Sequence, residues 1–479
     1  MKRKYILTIA ALAVTAGMLA SCTESITTTE TTSSSGQTSI EITDTSSSEE
    51  ETSAETSVSE LSSSVSSSSS DYFSDRDLEQ TADTEDATSF DLSDGTDIGI
   101  TEEGVYVISG SAENVTIKVD ADDEAKVQLV LDGVSITNED SPCIYVLNAD
   151  KVFITTTDSE NTLEVTGEFE PDGDTNTDAV IFAKDDIVLN GLGTLNITST
   201  DNGISCKNDI KITGGTINIT CTGDAIEAKD SVRISDGVLN ITTGKDGIHS
   251  EDDEDDTTGF VYIRGGTLNI TAGDDAIHAT TYITIDGGTF NLTAAEGIEG
   301  TAIYINDGTI TIDASDDGIN AAHKSDSISP LVQINGGTIT IEMGAGDTDG
   351  IDSNGDLIIN GGTISINGMS TFDYDGTAEF NGGTIIANGT ETNTITNQFG
   401  GMDPGGDGNF PGARPSGDGE QPAGYPPAGG MPDGAPEGFP EGDFPGGDFP
   451  GGEMPEGGFP GQRPDGMPEG APPDGTRPE

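Results

Sequence analysis

The amino-acid sequence predicts an all-β fold, a parallel β-helix, on three observations. A Gly-Thr phrase recurs from Gly193-Thr194 to Gly383-Thr384, with a basal period of about 21 or 22 residues and a few longer steps. Each copy alternates apolar and polar residues, as in TINIT at 216–220, so one face of the segment is apolar. No helical periodicity occurs in this region. A solenoid with three short strands and three turns per coil has such a period.

Each copy of the repeat carries three apolar stripes, one for each strand of the predicted coil. Leu195 belongs to the first strand, Ile226 to the second and Ile212 to the third, and equivalent residues recur in the other copies. No single coil can bury its own apolar face, so the coils must stack. Residues 92–395 would form roughly a dozen coils, each rising by about 4.8 Å along the axis.

Glycines and insertions mark the corners of the predicted coil. The glycine before each first strand, such as Gly266, predicts a tight corner with positive φ. The longer steps of the repeat contain EDDEDDTTG at 251–259 and HKSDSISP at 323–330. We expect both segments to form loops outside the stack.

Composition limits the classes of partner. The 479 residues include 87 Asp and Glu against 18 Lys and Arg, which gives a formal net charge of -69. A field of this sign repels nucleic acids, so no nucleic-acid partner is expected, and it favours cations. Only 32% of the residues are hydrophobic and Trp is absent, so a large compact core for the whole chain is excluded.

The sequence predicts four segments. Residues 1–22 have a basic start, a short apolar run and Leu-Ala-Ser-Cys, which resembles a bacterial lipobox, so Cys22 is the predicted lipidation site. The protein would then be anchored by lipid on the extracellular face of the bacterial cell membrane. Residues 23–91 are rich in Ser, Thr and Glu and predict a disordered stalk. Residues 92–395 form the β-helix, and 396–479, rich in Gly, Pro, Asp and Glu, predict a disordered tail.

The cysteines that follow Cys22 carry no predicted chemistry. Cys143, Cys206 and Cys221 are odd in number and show neither metal-ligand nor redox spacing. They are expected to be small buried residues or unpaired thiols.

An acidic column is predicted beside the second strand of each coil. Stacking places like charges about 5 Å apart, where they repel by roughly 3 kcal/mol at an effective dielectric constant near 20. Salt, raised carboxylate pKa values, nearby lysines or divalent cations can relieve this repulsion, and Ca²⁺ prefers oxygen ligands. Asx-turns that use the same residues are the structural alternative. The candidate Ca²⁺ ligands are Asp201, Asp224, Asp246, Asp274, Asp275, Asp316, Asp317 and Asp349.

Two other columns are candidates for carbohydrate binding. Lys211, Arg233, Tyr262 and Tyr304 recur at one place in the third strand, where cationic and aromatic groups suit sugar acids and pyranose rings. The pair His249 and His278 stands at equivalent places in consecutive copies and suits a binding groove. For both columns the alternative is an ordinary solvated strand face.

A third regular surface lies on the first strand. Asparagines stand between threonines there in successive copies, as in 216–220. Such Asn and Thr ladders are good β-helix surface. A regular lattice such as a cellulose crystal face is the functional alternative.

The phrase TEEGVYVISGSAENVTIKV at 101–119, GLGTLNIT at 191–198 and GDAIEAKDSVRI at 223–234 resemble the bacterial carbohydrate-binding domain family. The resemblance implies a right-handed β-helix like that of pectate lyases, Ca²⁺ binding, and attachment to plant polysaccharides, cellulose or polygalacturonate, without established catalysis. The predicted protein is therefore a monomeric cell-surface lipoprotein that binds plant cell-wall glycans.

Two other classes of function remain open. A β-helical lyase would need Arg233 or Arg264 as a base, and a galacturonase would need paired carboxylates, of which Asp274 and Asp275 beside His278 are a fragment. A structural surface adhesin, with the β-helix as a spacer, is the third class.

Overall fold

The structure, a computed structural model, describes residues 72–397 except residues 253, 346 and 347. The predicted signal peptide with Cys22, the stalk up to residue 71 and the tail from residue 398 lie outside the described residues. Within the described part no helix occurs, so none is long and apolar enough to cross a bilayer.

The described residues form 34 strands that belong to one sheet. In chain order they are β1 (Thr88–Asp91), β2 (Ile98–Ile100), β3 (Gly104–Glu113), β4 (Ile117–Asp120), β5 (Lys126–Asn138), β6 (Ile144–Asn148), β7 (Lys151–Thr156), β8 (Glu160–Val165), β9 (Ala179–Ala183), β10 (Ile187–Gly191), β11 (Thr194–Thr198) and β12 (Asn202–Cys206). They continue with β13 (Asp209–Ile212), β14 (Thr216–Thr220), β15 (Ile226–Ala228), β16 (Ser231–Ile234), β17 (Val238–Thr242), β18 (Ile248–Ser250), β19 (Phe260–Ile263), β20 (Thr267–Thr271), β21 (Asp275–Ile285), β22 (Thr289–Ala294) and β23 (Glu296–Ile305). The last are β24 (Thr309–Ala314), β25 (Ile319–Ala321), β26 (Leu331–Ile334), β27 (Thr338–Met343), β28 (Asp349–Ser353), β29 (Asp356–Ile359), β30 (Thr363–Asn367), β31 (Ser370–Phe372), β32 (Ala378–Phe380), β33 (Thr384–Ala387) and β34 (Thr390–Thr392).

Each strand in the body of the sheet pairs in parallel with the strand of the same type one coil later. Three ladders result. The first contains β8, β11, β14, β17, β20, β22, β24, β27, β30 and β33. The second contains β9, β12, β15 and β18, and then β21, β23, β25, β28 and β31. The third contains β10, β13, β16 and β19, then the second halves of β21 and β23, and then β26, β29 and β32. This is the predicted parallel β-helix. The antiparallel pair β33–β34 closes its C-terminal end.

The register confirms the repeat deduced from the sequence. Thr216 pairs with Thr194 on one side and with Val238 on the other, so the Gly-Thr phrases stack in line. The two insertions lie between β18 and β19 and between β25 and β26, so the neighbouring strands keep their pairing. The loops also touch each other, because Ser325 donates a hydrogen bond of 2.9 Å to Asp256.

The core is a continuous stack of aliphatic side chains inside the coils. Ile226, Ile248, Ile277 and Ile298 pair along the second ladder and are fully buried. Each buried side chain of this size contributes about 1.5 to 3 kcal/mol relative to exposure. The residue after each isoleucine points outward, so the same register aligns Glu227, His249, His278 and Glu299 on that face.

The glycine corners require glycine. Gly337 has φ +86°, and a Cβ on it would lie 2.9 Å from the carbonyl oxygen of Gly308 in the preceding coil. Close stacking of backbone on backbone therefore excludes a side chain at this corner.

We expect Gly337→Ala to destabilise the protein by about 1 to 3 kcal/mol, because alanine is strained at this φ and its methyl group meets backbone. Thermal unfolding checks this, with Gly99→Ala as the control, since Gly99 has an ordinary φ and nothing within 4 Å of its Cβ position. Equal melting temperatures for the two variants would contradict the corner argument.

Candidate functional site: an acidic ladder with two histidines

The acidic residues before the second-ladder strands form one column. Asp224 Oδ1 accepts a 3.0 Å hydrogen bond from the backbone N–H of Asp246, and Asp246 Oδ1 accepts one of 2.9 Å from that of Asp275. Asp317 and Asp349 make the same contact at 3.0 Å. In Asp224, Asp246 and Asp317, one carboxylate oxygen thus accepts a backbone hydrogen bond that joins two coils. This is a structural role, as in the Asx-turn alternative. The second oxygen is left to face other groups.

The predicted ligands divide into two sets. Asp224, Asp246, Asp275, Asp317 and Asp349 belong to the column, together with Asn202 and Glu296, which occupy the same place in their coils. The preceding acids, Asp201, Asp274 and Asp316, are exposed at the corner.

One of the corner acids joins the column closely enough to bind a cation. One carboxylate oxygen from each of Asp246, Asp274 and Asp275 lies within 4.8 Å of the other two. In the described part of the chain, neither Asp201 nor Asp316 belongs to such a group of three. The oxygen-only chemistry of this group suits Ca²⁺.

His249 and His278 lie beside the column, in neighbouring coils. They pair in register, and their ring centroids are 4.9 Å apart. His278 Nδ1 lies 2.8 Å from Asp275 Oδ2, 3.2 Å from Glu299 Oε2 and 4.0 Å from Asp246 Oδ2. The sequence missed the role of Glu299, although it occupies the equivalent place in the next coil.

Burial and repulsion shift the titration of these groups. Burial, with repulsion from Asp246 and Glu299, raises the pKa of Asp275 to about 9. Burial would lower the pKa of His249, but Asp224, Asp246 and Glu251 raise it to about 9. Burial and the neighbouring His249 lower the pKa of His278. The pair therefore carries one proton more readily than two.

The third-ladder column is covered by the chain's own N-terminal segment. Residues 72–80 pack on this face, with Tyr72 stacked on Tyr262 at 4.3 Å between ring centroids. Asp77 Oδ2 lies 3.1 Å from Lys211 Nζ, and the two side chains are only 1% and 9% exposed. The guanidinium of Arg233 lies 5.7 Å from the Tyr72 ring.

These contacts correct two sequence-based expectations. Lys211, Arg233 and Tyr262 bind residues 72–80, so they do not form an open carbohydrate platform, whereas Tyr304 is half-buried. They are also on a different ladder from His249 and His278. The sequence predicts a disordered stalk up to residue 91, but Phe73 is buried and β1 pairs with β3.

The first-ladder surface has the regularity that its sequence predicts. Asn218 donates a 2.7 Å hydrogen bond to Asn196, Asn240 donates one of 2.8 Å to Asn218, and Asn269 continues the chain with 2.8 Å to Asn240. The amides therefore form a straight hydrogen-bonded row along the axis, flanked by threonines.

Comparison with known proteins identifies the family. The sequence profile described as "Carbohydrate-binding domain-containing protein" matches residues 94–347 and 295–398, more than half of the chain. The chain belongs to this family.

Two proteins similar to this carbohydrate-binding domain protein match different shares of its chain. A carbohydrate-binding domain-containing protein of Acetivibrio thermocellus is 40% identical over 123 residues, which cover 25% of this chain and 43% of the relative. The solved structure of a gadolinium derivative of the polysaccharide lyase-like protein from C. thermocellum is 30% identical, covers 55% of this chain and 98% of that chain, and has a TM-score of 0.40.

We expect Asp77→Asn to release residues 72–80, because Lys211 and Lys151, the latter 3.6 Å from Asp77 Oδ1, lose their buried counter-charge. Removing one partner of a buried ion pair destabilises the folded state by about 3 to 5 kcal/mol, because the other charge stays buried and unpaired. Release of residues 72–80 would expose the two lysines to water and so limit this cost. Amide hydrogen exchange should become faster in residues 72–80. The exposed neighbour provides the control Asp75→Asn, and unchanged exchange in Asp77→Asn would contradict this role.

We expect the melting temperature of chelator-treated protein to fall as the pH rises from about 4 to about 8. Burial and repulsion raise the pKa of Asp275 to about 9, of Glu296 to about 8 and of Asp352 to about 7, so the folded protein keeps protons that the unfolded chain loses near pH 4. Stability is greatest below the unfolded pKa and is lost as the pH approaches the folded values. Glu296→Gln should flatten part of the fall, and a melting temperature that rises over this window would disprove the assignment.

Proposed function

We propose that the protein is a cell-surface lipoprotein that attaches to plant cell-wall glycans, cellulose or pectate, and that Ca²⁺ takes part in the attachment. The observation that carries the calcium part is the oxygen-only group Asp246, Asp274 and Asp275 at the edge of the acidic ladder. Family membership supports the carbohydrate part. The lipobox-like Leu-Ala-Ser-Cys supports a lipid anchor at Cys22 on the extracellular face.

Calcium fits the ladder for an electrostatic reason. The nearest lysine, Lys245, is 3.9 Å from Asp224 and its side chain is 63% exposed, so it neutralises the column weakly. Burial, with repulsion from Asp224, raises the pKa of Asp246, and burial, with repulsion from Asp246, raises the pKa of Asp275. A divalent cation that takes one oxygen from each of three carboxylates removes that repulsion. Ca²⁺ accepts six to eight oxygen ligands, so water or a glycan can complete its shell.

The net charge of the chain predicts different requirements for binding pectate and cellulose. Pectate is a polyanion, and a protein with a net charge of -69 repels it unless cations lie between them. Exposed Asp274 is the group through which a calcium ion can contact both the protein and a uronate. Cellulose is neutral and needs no such bridge. The flat Asn row on the first ladder suits that polymer, because its donors and acceptors repeat at the spacing of the coils.

The structure weighs against one catalytic alternative. A lyase base must reach substrate, but Arg233 lies over Tyr72 and Phe260, and Arg264 lies 5.4 Å from the Phe73 ring centroid. Both candidate bases therefore contact the N-terminal segment or its binding surface. Asp275 and His278 do lie together, 2.8 Å apart, but both belong to columns of residues that recur from coil to coil. Their proximity is therefore not specific to catalysis.

Pull-down assays with pectate, cellulose and xylan, each with and without chelator, test the proposal. We expect pectate binding to disappear with chelator and to return with added Ca²⁺, and we expect cellulose binding to persist. Asp274→Asn should weaken pectate binding, because it removes one of the three calcium oxygens. Asp316→Asn is the matched control, since Asp316 occupies the equivalent exposed corner without a group of three acids.

The assay also separates the other classes of function. Binding to none of the three polymers would contradict the proposal and favour a structural spacer. An absorbance increase from unsaturated uronate during incubation with pectate would show lyase activity instead.

A further inference from the structure

The two histidines give this face a second kind of ligand set. One donor atom from each of Asp246, His249 and His278 lies within 4.8 Å of the other two, and the same holds for Asp275, His278 and Glu299. Calcium prefers oxygen and gives the imidazoles no role. Imidazole nitrogens mixed with carboxylate oxygens are typical ligands of zinc and neighbouring transition metals.

The β-helix itself creates the nitrogen pair. His249 and His278 occupy the same outward place in adjacent coils, which brings their rings to 4.9 Å between centroids. Asp246 Oδ2 lies between them, 3.5 Å from His249 Nδ1 and 4.0 Å from His278 Nδ1. The Nδ1 atoms of both rings therefore face the same carboxylate. Metal–nitrogen bonds of about 2.0 to 2.1 Å in a tetrahedral shell put neighbouring ligand atoms at similar separations.

Hydrogen bonding alone leaves these groups poorly matched. His278 Nδ1 faces oxygens of Asp275, Glu299 and Asp246 but has at most one proton to donate. Lys324 lies 2.9 Å from Glu299 and relieves only that carboxylate. Both ring nitrogens of His249 are buried and make no hydrogen bond. A cation bound by the Nδ1 atoms would also bind the carboxylate oxygens that have no proton donor.

Groups around the rings hold them in place. His249 Nε2 lies 3.3 Å from Glu251 Oε2, in the first insertion, and this contact can orient the ring, as carboxylates behind metal-bound histidines do. Asp246 Oδ1 is held by the backbone N–H of Asp275 at 2.9 Å, which leaves Oδ2 to face the rings. The second insertion supplies Lys324. The first insertion thus contacts His249 through Glu251, and the second contacts Glu299, beside His278, through Lys324.

We propose that His249 and His278, with Asp246 and a further carboxylate from Asp275 or Glu299, bind a divalent transition metal of the zinc class. This site shares Asp246 with the calcium group, but it uses two ring nitrogens and does not use Asp274. It needs no glycan, so it can exist whether or not the protein binds carbohydrate.

Titration of untagged, chelator-stripped full-length protein with Zn²⁺, in the presence of excess Ca²⁺, tests the site. We expect one zinc ion per chain to bind, and we expect Co²⁺ in its place to give the intense visible absorption of a tetrahedral, nitrogen-containing shell. A weak octahedral Co²⁺ spectrum, or zinc binding that Ca²⁺ abolishes, would overturn the proposal. This measurement on the unaltered protein stands even if a variant folds poorly.

Variants assign the ligands. His278→Gln should weaken zinc binding by at least about tenfold, the loss typical even of residues behind metal ligands. His323→Gln is the matched control, because His323 is exposed in the second insertion. Asp274→Asn should leave zinc binding unchanged while it weakens calcium binding. Equal zinc affinity in His278→Gln and His323→Gln would refute the assignment.

Discussion

Parallel stacking of coils is the constraint on which the other features depend. Because the strands in the body of the sheet pair in parallel with their copies in the next coil, any residue type that recurs in the repeat becomes a column. For isoleucine the column is a buried core, and for asparagine it is a row of amide hydrogen bonds. For aspartate the same geometry is unfavourable, since like charges are brought together. The protein uses one oxygen of several of these carboxylates to join coils, which leaves the others as a concentrated set of acceptors for cations.

Much of the fold can be predicted from the repeat, because each coil has the same pattern of apolar residues, polar residues and glycines. The apolar stripes and the glycine corners follow from a period near 22 residues. The register of His249 with His278 follows once the insertion at 251–259 is placed outside the stack. The N-terminal segment could not be predicted in this way. It occurs once, in a polar region, and its few apolar residues, Tyr72, Phe73 and Leu78, gain burial only on a surface formed by residues far away in sequence. The sequence alone therefore predicts an open column at Lys211, Arg233 and Tyr262.

The candidate site shows the same division between repeated and unique features. The sequence identifies the acids and their alignment, but it does not distinguish Asp274 from Asp201 or Asp316, which occupy similar corners. The structure shows the difference, because an oxygen of Asp274, between β20 and β21, lies within 4.8 Å of oxygens of Asp246 and Asp275. Glu299 likewise gains a partner that the repeat does not predict, since Lys324, in an insertion that breaks the period, lies 2.9 Å from it. Local departures from the repeat thus turn parts of a general acidic column into candidate ligand sets. Such departures are where a repeat protein can acquire a specific binding site.

The central claim is that stacking brings these acids and histidines into cation sites on one face, and the most direct test is to locate the ions by anomalous diffraction. Crystals grown with Ca²⁺ and Zn²⁺ should show a calcium peak beside Asp246, Asp274 and Asp275. They should show a zinc peak at the Nδ1 atoms of His249 and His278. Peaks elsewhere on the surface, or none on this face at full soaking concentrations, would contradict the account.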